Sequence, residues 1–220
     1  MDYKIYIGYN QITIIRGGEI MKRMSSLAYH FGVKLRFYPS SKQKKIIKLN
    51  YDAQRFVYNS YVGRNRSNYH AKHYLAVRQY QAMPFAFSIL NNYETKLAEE
   101  VVANNELLAK PRNIRDAYNF LRVKEIDSLA LANAIQNYQK AWSNYRKIGH
   151  GIPTFHKKRS DWSYQTNCQY PKQKEAFLDN GTARFIDAKH IKLPKLGIVR
   201  IAGFRRLIKE RLLNHIPTRI

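Results

Sequence analysis

The residues of this chain best suited to chemistry are cations, which gather on one predicted helix face and one loop. Ser40 opens the helix, with Gln43 three residues later in a capping-box pattern. At about 100° per residue, a narrow arc of this helix carries Lys44, Lys48, Arg55, Asn59 and Arg66. A solvated face usually mixes signs, whereas this arc is nearly all positive and has only Asp52 at its edge. The pattern favours contact with nucleic acid, with a merely solvated face as the alternative.

Two further groups fit the same chemistry. Lys157-Lys158-Arg159 follow Pro153 and Phe155, which would stiffen the loop, so these cations predict a phosphate clamp. Arg55 and Asn59, one helical turn apart, suit either phosphate contacts or base edges. Tyr164 could stack on an unpaired base, although core packing is the favoured role for most of the seventeen tyrosines.

Catalytic and metal-binding patterns are weak. His70 and His73 have a spacing that can bind metal on a helix, but no acid or cysteine is near them in sequence, which favours exposed or packed histidines. Asp187 ends an apolar strand pattern, yet two-metal hydrolysis needs several convergent carboxylates and no other acid nearby lies on a comparable strand. No role is predicted for His150, His156 or His190. We therefore predict no catalytic residue and no metal ligand in this chain.

The charge is unevenly distributed along the sequence. The net charge is +24, and residues 21–80 hold thirteen Lys and Arg against one acid. Residues 81–140 hold seven of each sign, and residues 141–220 hold seventeen cations against five acids. Such a field attracts phosphate backbones. Two basic stretches separated by a neutral one are expected to converge into one surface for a polyanion.

The cellular compartment is predicted from two features that the sequence lacks, a membrane-spanning stretch and paired cysteines. No apolar stretch approaches the ~20 residues that span a bilayer, and Cys168 is the only cysteine. These features predict a cytoplasmic, nucleoid-associated protein with no membrane partner, no disulfide and no cysteine-based zinc site within the chain.

The sequence predicts, in order, a strand, a helical block and further strands. These elements must position the residues named above. Residues 31–38 alternate as a strand, residues 84–148 keep helical periodicity, and residues 164–170 alternate as a half-buried strand. Short strands are predicted at 183–187, 190–193 and 197–201. This order predicts an α+β protein whose β part is split by a helical insertion.

Five segments, in order, carry a family resemblance. Residues 34–39 with Gln43 and Arg55–Asn59 (RFVYN) resemble the opening of the TnpB (OrfB) family of IS200/IS605-type insertion sequences, relatives of the type V CRISPR effectors. Residues 125–134, with Asp127-Ser128, are similar to a family helix that precedes a Gly-x-Pro-x-Phe segment, here residues 151–155. Residues 163–167 and 191–197 complete the match, which covers about residues 33–201.

The resemblance implies an oligonucleotide-binding-like β barrel with an inserted helical recognition lobe, binding guide RNA and duplex DNA. Expected regions are a leader at 1–23, the first barrel strand at 24–40, the recognition lobe with a helix-turn-helix-like start at 41–148, and the rest of a truncated barrel at 149–220. The expected nucleic-acid contacts are Lys34, Arg36, Lys44, Lys48, Arg55, Asn59, Arg66, Lys157, Lys158, Arg159 and Tyr164. The family's RuvC acids and zinc cysteines have no match here, so we expect no cofactor and no cleavage by this chain alone.

Three alternatives stay open from the sequence. The chain could be a stand-alone helix-turn-helix DNA-binding regulator, or the non-functional remnant of a transposase gene. The leader could be a genuine β-hairpin, or the product of a misassigned start ahead of Met21 or Met24.

Overall fold

The computed structural model describes residues 3–10, 30–82, 92–109, 113–145, 147, 149–160, 162–169, 181–202 and 216–219. Most of the leader (residues 11–23), together with Tyr170, lies outside the described residues. Within the described part, helices and an antiparallel sheet are both present, which confirms the α+β class.

Six strands form one antiparallel sheet in the order β3-β4-β5-β2-β1-β6. The strands are β1 (Tyr3–Asn10), β2 (His30–Tyr38), β3 (Arg184–Asp187), β4 (His190–Leu193), β5 (Gly197–Ala202) and β6 (Ile216–Arg219). The last three predicted strands are thus confirmed as β3, β4 and β5. The described strands leave β3 and β6 as open edges, so the sheet is not a closed barrel.

Strand β2 is central because it pairs on both sides. All of it except its last residue pairs with β1, from Tyr3 opposite Phe37 to Asn10 opposite His30. Its last three residues pair with β5. Residues 3–10 of the predicted leader therefore form a strand beside β2.

The predicted strand at 164–170 is wrong as a regular element. Described residues 162–169 form no regular strand, only an isolated bridge at Asn167. Gln169 is hydrogen-bonded to Thr182, whose N–H donates to its carbonyl at 2.9 Å. The predicted alternation survives in burial, because Thr166 is buried while Tyr164 and Cys168 pack against the core.

Within the described ranges, four α-helices lie in sequence between β2 and β3. They are α1 (Ser41–Ala82), α2 (Asn92–Ala109), α3 (Asn113–Ala117) and α4 (Ser128–Tyr145), with a 3-10 helix at Asn119–Arg122. None of the helices described here combines the length and apolar character that crossing a bilayer requires.

The start of α1 confirms the capping box. The Ser40 N–H donates to Gln43 Oε1 at 2.9 Å, and the Gln43 N–H donates to Ser40 Oγ at 3.3 Å. The amide of Gln43 also donates to the carbonyls of Leu196 and Ile198, at 3.0 and 2.9 Å. One side chain therefore caps the helix and ties it to the turn that joins β4 and β5.

The start of α4 rests on a buried polar network. Asp127 precedes the helix and accepts the Leu129 N–H at 3.0 Å, the geometry of an N-cap. Its second oxygen accepts the hydroxyl of Thr166, and its own N–H donates to Asn50 Oδ1 at 2.7 Å. All three side chains are buried. The network joins α1, the start of α4 and the 162–169 segment.

The chain forms two units. The first comprises residues 1–51, 125–130 and 162–220, and the second comprises 52–124 and 131–161. The core of the first unit lies between the sheet and the start of α1, with Leu35, Phe37, Ile47, Ile191 and Ile201 buried together. In the second unit Tyr138 of α4 packs against Tyr61 and Tyr58 of α1, with ring centroids 5.2 and 6.1 Å apart.

Candidate nucleic-acid interface

The second unit contains a loop whose backbone is hydrogen-bonded to a side chain of α1. This segment, residues 150–159, is called the basic loop here. The side-chain amide of Asn59 accepts the His156 N–H at 2.8 Å and donates to the His156 carbonyl at 3.0 Å. One amide therefore satisfies both backbone groups of a single loop residue. Such a two-point contact fixes the orientation of the loop as well as its position.

A ring contact reinforces this attachment. The imidazole of His156 lies flat on the ring of Tyr58, with centroids 3.7 Å apart and planes 6° apart. Burial of the imidazole, helped by the nearby charge of Arg159, lowers the pKa of His156 from its ordinary 6.5. His156 is therefore neutral at pH 7, and it stacks as an uncharged ring.

Arg66, about two helical turns beyond Asn59, attaches an earlier part of the loop. Its guanidinium lies 4.9 Å from the ring centroid of Phe155 and donates to the Pro153 carbonyl at 3.4 Å. Pro153 itself is buried. Arg66 thus combines a cation–π contact with a weak hydrogen bond, and both hold the loop.

The three cations of the basic loop follow directly after these contacts. Lys157, Lys158 and Arg159 are all exposed. They are three consecutive positive charges on a segment whose preceding residues are bonded to a helix. This is how the structure places the predicted phosphate clamp.

Arg55, one turn before Asn59, has a different setting. It is partly buried, and its guanidinium lies 3.6 Å from the Asp52 carboxylate. Its Nε is buried without a hydrogen-bond partner among the protein atoms. An exposed ion pair of this length contributes little to stability, so this contact restrains the guanidinium weakly.

The other predicted contacts belong to the first unit. Arg36 of β2 and Lys44 and Lys48 of α1 are exposed, and the Lys48 ammonium lies 5.4 Å from the Trp162 ring centroid. Lys34 lies on β2 opposite Tyr6, and its side chain is outside the description. Tyr164 is half-buried against the core, and this burial raises the pKa of its hydroxyl. Its environment is that of a packing residue.

The interpretation of His156 and His190 from sequence was incomplete. No role was predicted for either, yet His156 carries two of the contacts that hold the basic loop. His190 Nδ1 lies 2.9 Å from Asp187, and this hydrogen bond lowers the pKa of the Asp187 carboxyl. No local pattern signals the Asn59–His156 pair, because the two residues are 97 positions apart.

Within the described ranges, no three His, Cys, Asp or Glu side chains gather as metal ligands would. His70 and His73 instead contact Tyr69, with ring centroids 5.8 and 6.5 Å away. The described residues therefore do not fit a magnesium or zinc site.

Comparison with known proteins identifies the region around α1. Residues 28–73 match a family model described as a helix-turn-helix domain, that of the IS605 OrfB proteins. This stretch is therefore a DNA-binding, transposase-related region. More specifically, the amino-terminal region of the chain is of the IS605 OrfB/TnpB type. A search of curated proteins returned no match.

Over the matched residues, the structure has strand β2 and the first part of α1. Helix α1 runs without interruption from Ser41 to Ala82. The matched stretch is therefore one strand and one continuous helix, and not two helices joined by a short turn.

Proposed function

We propose that this chain is the nucleic-acid-binding part of a TnpB-type RNA-guided DNA endonuclease and holds a guide RNA and its duplex DNA target. The observation that carries the proposal is the attachment of the basic loop to α1. A cation that is already positioned loses less conformational entropy when it binds a phosphate than a mobile lysine does. The match of α1 to a DNA-binding family region supports the same surface.

The predicted residues take different roles in this proposal. Lys157, Lys158 and Arg159 contact phosphates, and Asn59 and Arg66 act as positioning residues for the loop. Arg55 contacts phosphate beside them. Cations of the first unit form a second set of phosphate contacts, namely the exposed Arg36, Lys44 and Lys48 together with Lys34 on β2. Tyr164 contributes packing.

The sheet and the helices take the roles of the family's β barrel and recognition lobe. In this proposal the six strands belong to an oligonucleotide-binding-like barrel, and α1 to α4 form the lobe inserted between β2 and β3. The protein supplies charge and shape, while base pairing with the guide supplies sequence. The proposal assigns no cleavage step to the described residues, which do not gather as metal ligands would.

The alternative is a stand-alone DNA-binding regulator, which the helix-turn-helix description of the matched model favours. A helix-turn-helix places a second helix in the major groove after a short turn. The uninterrupted α1 over the matched residues is the reason to prefer the RNA-guided proposal.

The test compares the affinity of the chain for RNA from the transposon end with its affinity for unrelated duplex DNA. We expect tighter binding to the RNA, with an affinity that falls steeply as salt rises. Replacing Lys157, Lys158 and Arg159 with alanine should reduce the slope of log K against log [salt] by about two to three, since each phosphate contact contributes about 0.7 to 0.9.

The matched control removes the same charge from exposed helix positions of the same unit, Lys96, Arg115 and Lys140. This control should change the slope much less. Equal effects of the two triple variants would refute the role of the basic loop. Tighter binding to duplex DNA than to the RNA would instead support the regulator.

A further inference from the structure

The face of α1 that holds the basic loop also carries a group of exposed aromatic rings. Tyr69, His70 and His73 are exposed, and 70% of Tyr69 is accessible, the largest fraction among the exposed apolar and aromatic residues of the described chain. Arg66 and His73 are seven residues apart, and Asn59 and Arg66 are also seven apart, so all three share one helix face. The rings therefore lie along the face that holds the basic loop.

The geometry of two of these rings fits a planar guest. The rings of Tyr69 and His73 have centroids 6.5 Å apart and planes inclined by only 25°. Stacked bases are separated by about 3.4 Å, so a base held between two rings needs roughly twice that distance. The centroid distance is an upper limit on the gap between the two rings, and it lies just below this value. Both side chains are exposed, so a small rotation of either ring would admit a base.

A third ring limits the motion of this pair. His70 packs against Tyr69 at 5.8 Å, with planes 77° apart, an edge-to-face contact. This contact favours the orientation of the Tyr69 ring seen here, in which its plane is inclined by 25° to that of His73. A pre-oriented ring pays less entropy when a base stacks on it.

We propose that Tyr69 and His73 form a clamp for one unpaired base of the RNA that this region binds. The inference rests on the proposed function, because the basic loop supplies the phosphate contacts that bring the strand to this face. Unpaired RNA bases are commonly recognised by stacking on tyrosine and histidine. A base inside a duplex cannot enter the clamp, since both its faces are already stacked.

The experiment uses the full chain and a short oligouridine that carries a single 2-aminopurine, a base analogue whose fluorescence is quenched by stacking. Binding to the wild type should quench the probe. Tyr69→Ala should abolish the quenching and weaken binding by about five-fold to about one-hundred-fold, the range expected for one stacked base. Tyr69→Phe keeps the ring and should bind as the wild type does. His73→Ala should also reduce the quenching.

Two controls separate the clamp from the proposed function. Tyr93→Ala removes another exposed tyrosine of the same unit and should leave quenching and affinity intact. The basic-loop triple variant should weaken binding to both oligouridine and duplex. If that variant weakens binding but Tyr69→Ala acts no differently from Tyr93→Ala, the clamp is refuted while the proposed function stands.

Nucleic-acid type provides the final distinction. Tyr69→Ala should leave the affinity for duplex RNA and duplex DNA unchanged. An equal loss on duplex and single strand would show that Tyr69 acts through structure or charge and would overturn the clamp. An effect on oligothymidine alone, with none on oligouridine, would also overturn it.

Discussion

At the scale of single residues, the side-chain amide of Asn59 holds the backbone of the basic loop, a role that its residue type and spacing do not indicate. The type and spacing of Asn59 are compatible with reading an adenine edge. In the structure its oxygen and one N–H are both occupied by the backbone of His156. A side chain held in this way stabilises the loop and is poorly placed to reorient toward a base.

Asn59→Ala is expected to release the basic loop. The loss of two hydrogen bonds, each contributing about 0.5 to 1.5 kcal/mol, should raise the exchange rate of the His156 amide hydrogen and weaken RNA binding. Hydrogen exchange of residues 150–159 and RNA affinity are the measurements. Ser60→Ala, the neighbouring polar position on α1, is the control. Unchanged exchange at His156 in Asn59→Ala would contradict the assignment.

His156 makes the stability of the same unit depend on pH. Because its folded pKa lies below the ordinary 6.5, the unfolded chain takes up the proton more readily. The stabilising contribution of the neutral ring is therefore complete above about pH 6.5 and is lost as the pH falls from there through the folded value.

His156→Phe should keep a ring on Tyr58 that cannot titrate. Between about pH 8 and about pH 5, the melting temperature of the wild type should therefore fall further than that of His156→Phe. Thermal melts at both pH values measure this difference. Identical pH dependence of the two proteins would show that the imidazole is not held neutral.

At the scale of elements, several of the residues that carry the family resemblance are helix caps or their partners. Gln43 caps α1, and Asp127 caps α4. Asp127 also accepts the hydroxyl of the buried Thr166. These motifs therefore define where helices start and what those starts are bonded to, and a direct role in chemistry is not needed to explain them.

Asp127→Ala should destabilise the first unit by about 1.5 to 5 kcal/mol. The variant loses an N-cap, worth about 0.5 to 2 kcal/mol, and leaves the buried Thr166 hydroxyl without its acceptor, at about 1 to 3 kcal/mol. Urea unfolding followed by circular dichroism is the measurement. Ser128→Ala, an exposed neighbour, should cost far less, and an equal cost for both would refute the network. Asp127→Asn retains an acceptor and should fall between them.

Local patterns predicted most elements of this fold, because the signals for those elements are local. The capping box at Ser40 and Gln43 and the strands at 183–201 depend on residues close in sequence. The 164–170 segment shows the limit of such reasoning. Alternation predicts which side chains point inward, but a strand also needs a neighbouring backbone to pair with, and the sequence does not specify that partner.

At the scale of the whole molecule, charge was readable from the sequence but its arrangement was not. Composition identifies two basic stretches and a neutral one. The structure brings these two stretches into contact in the second unit, where Arg66 meets Pro153 and Phe155. That contact spans 87 residues. Long-range pairing of this kind depends on the packing of α1 and α4, which no short motif encodes.

Asn59 holds the basic loop through main-chain atoms of His156. This determines which substitutions in the loop leave the attachment intact. Asn59 recognises an N–H and a carbonyl that almost every amino acid presents, so only proline at position 156 would remove the donor. Side chains further along the loop can be exchanged without dismantling its anchor. Natural or engineered substitutions at these positions can therefore change the ligand that the loop binds while its attachment to α1 stays the same.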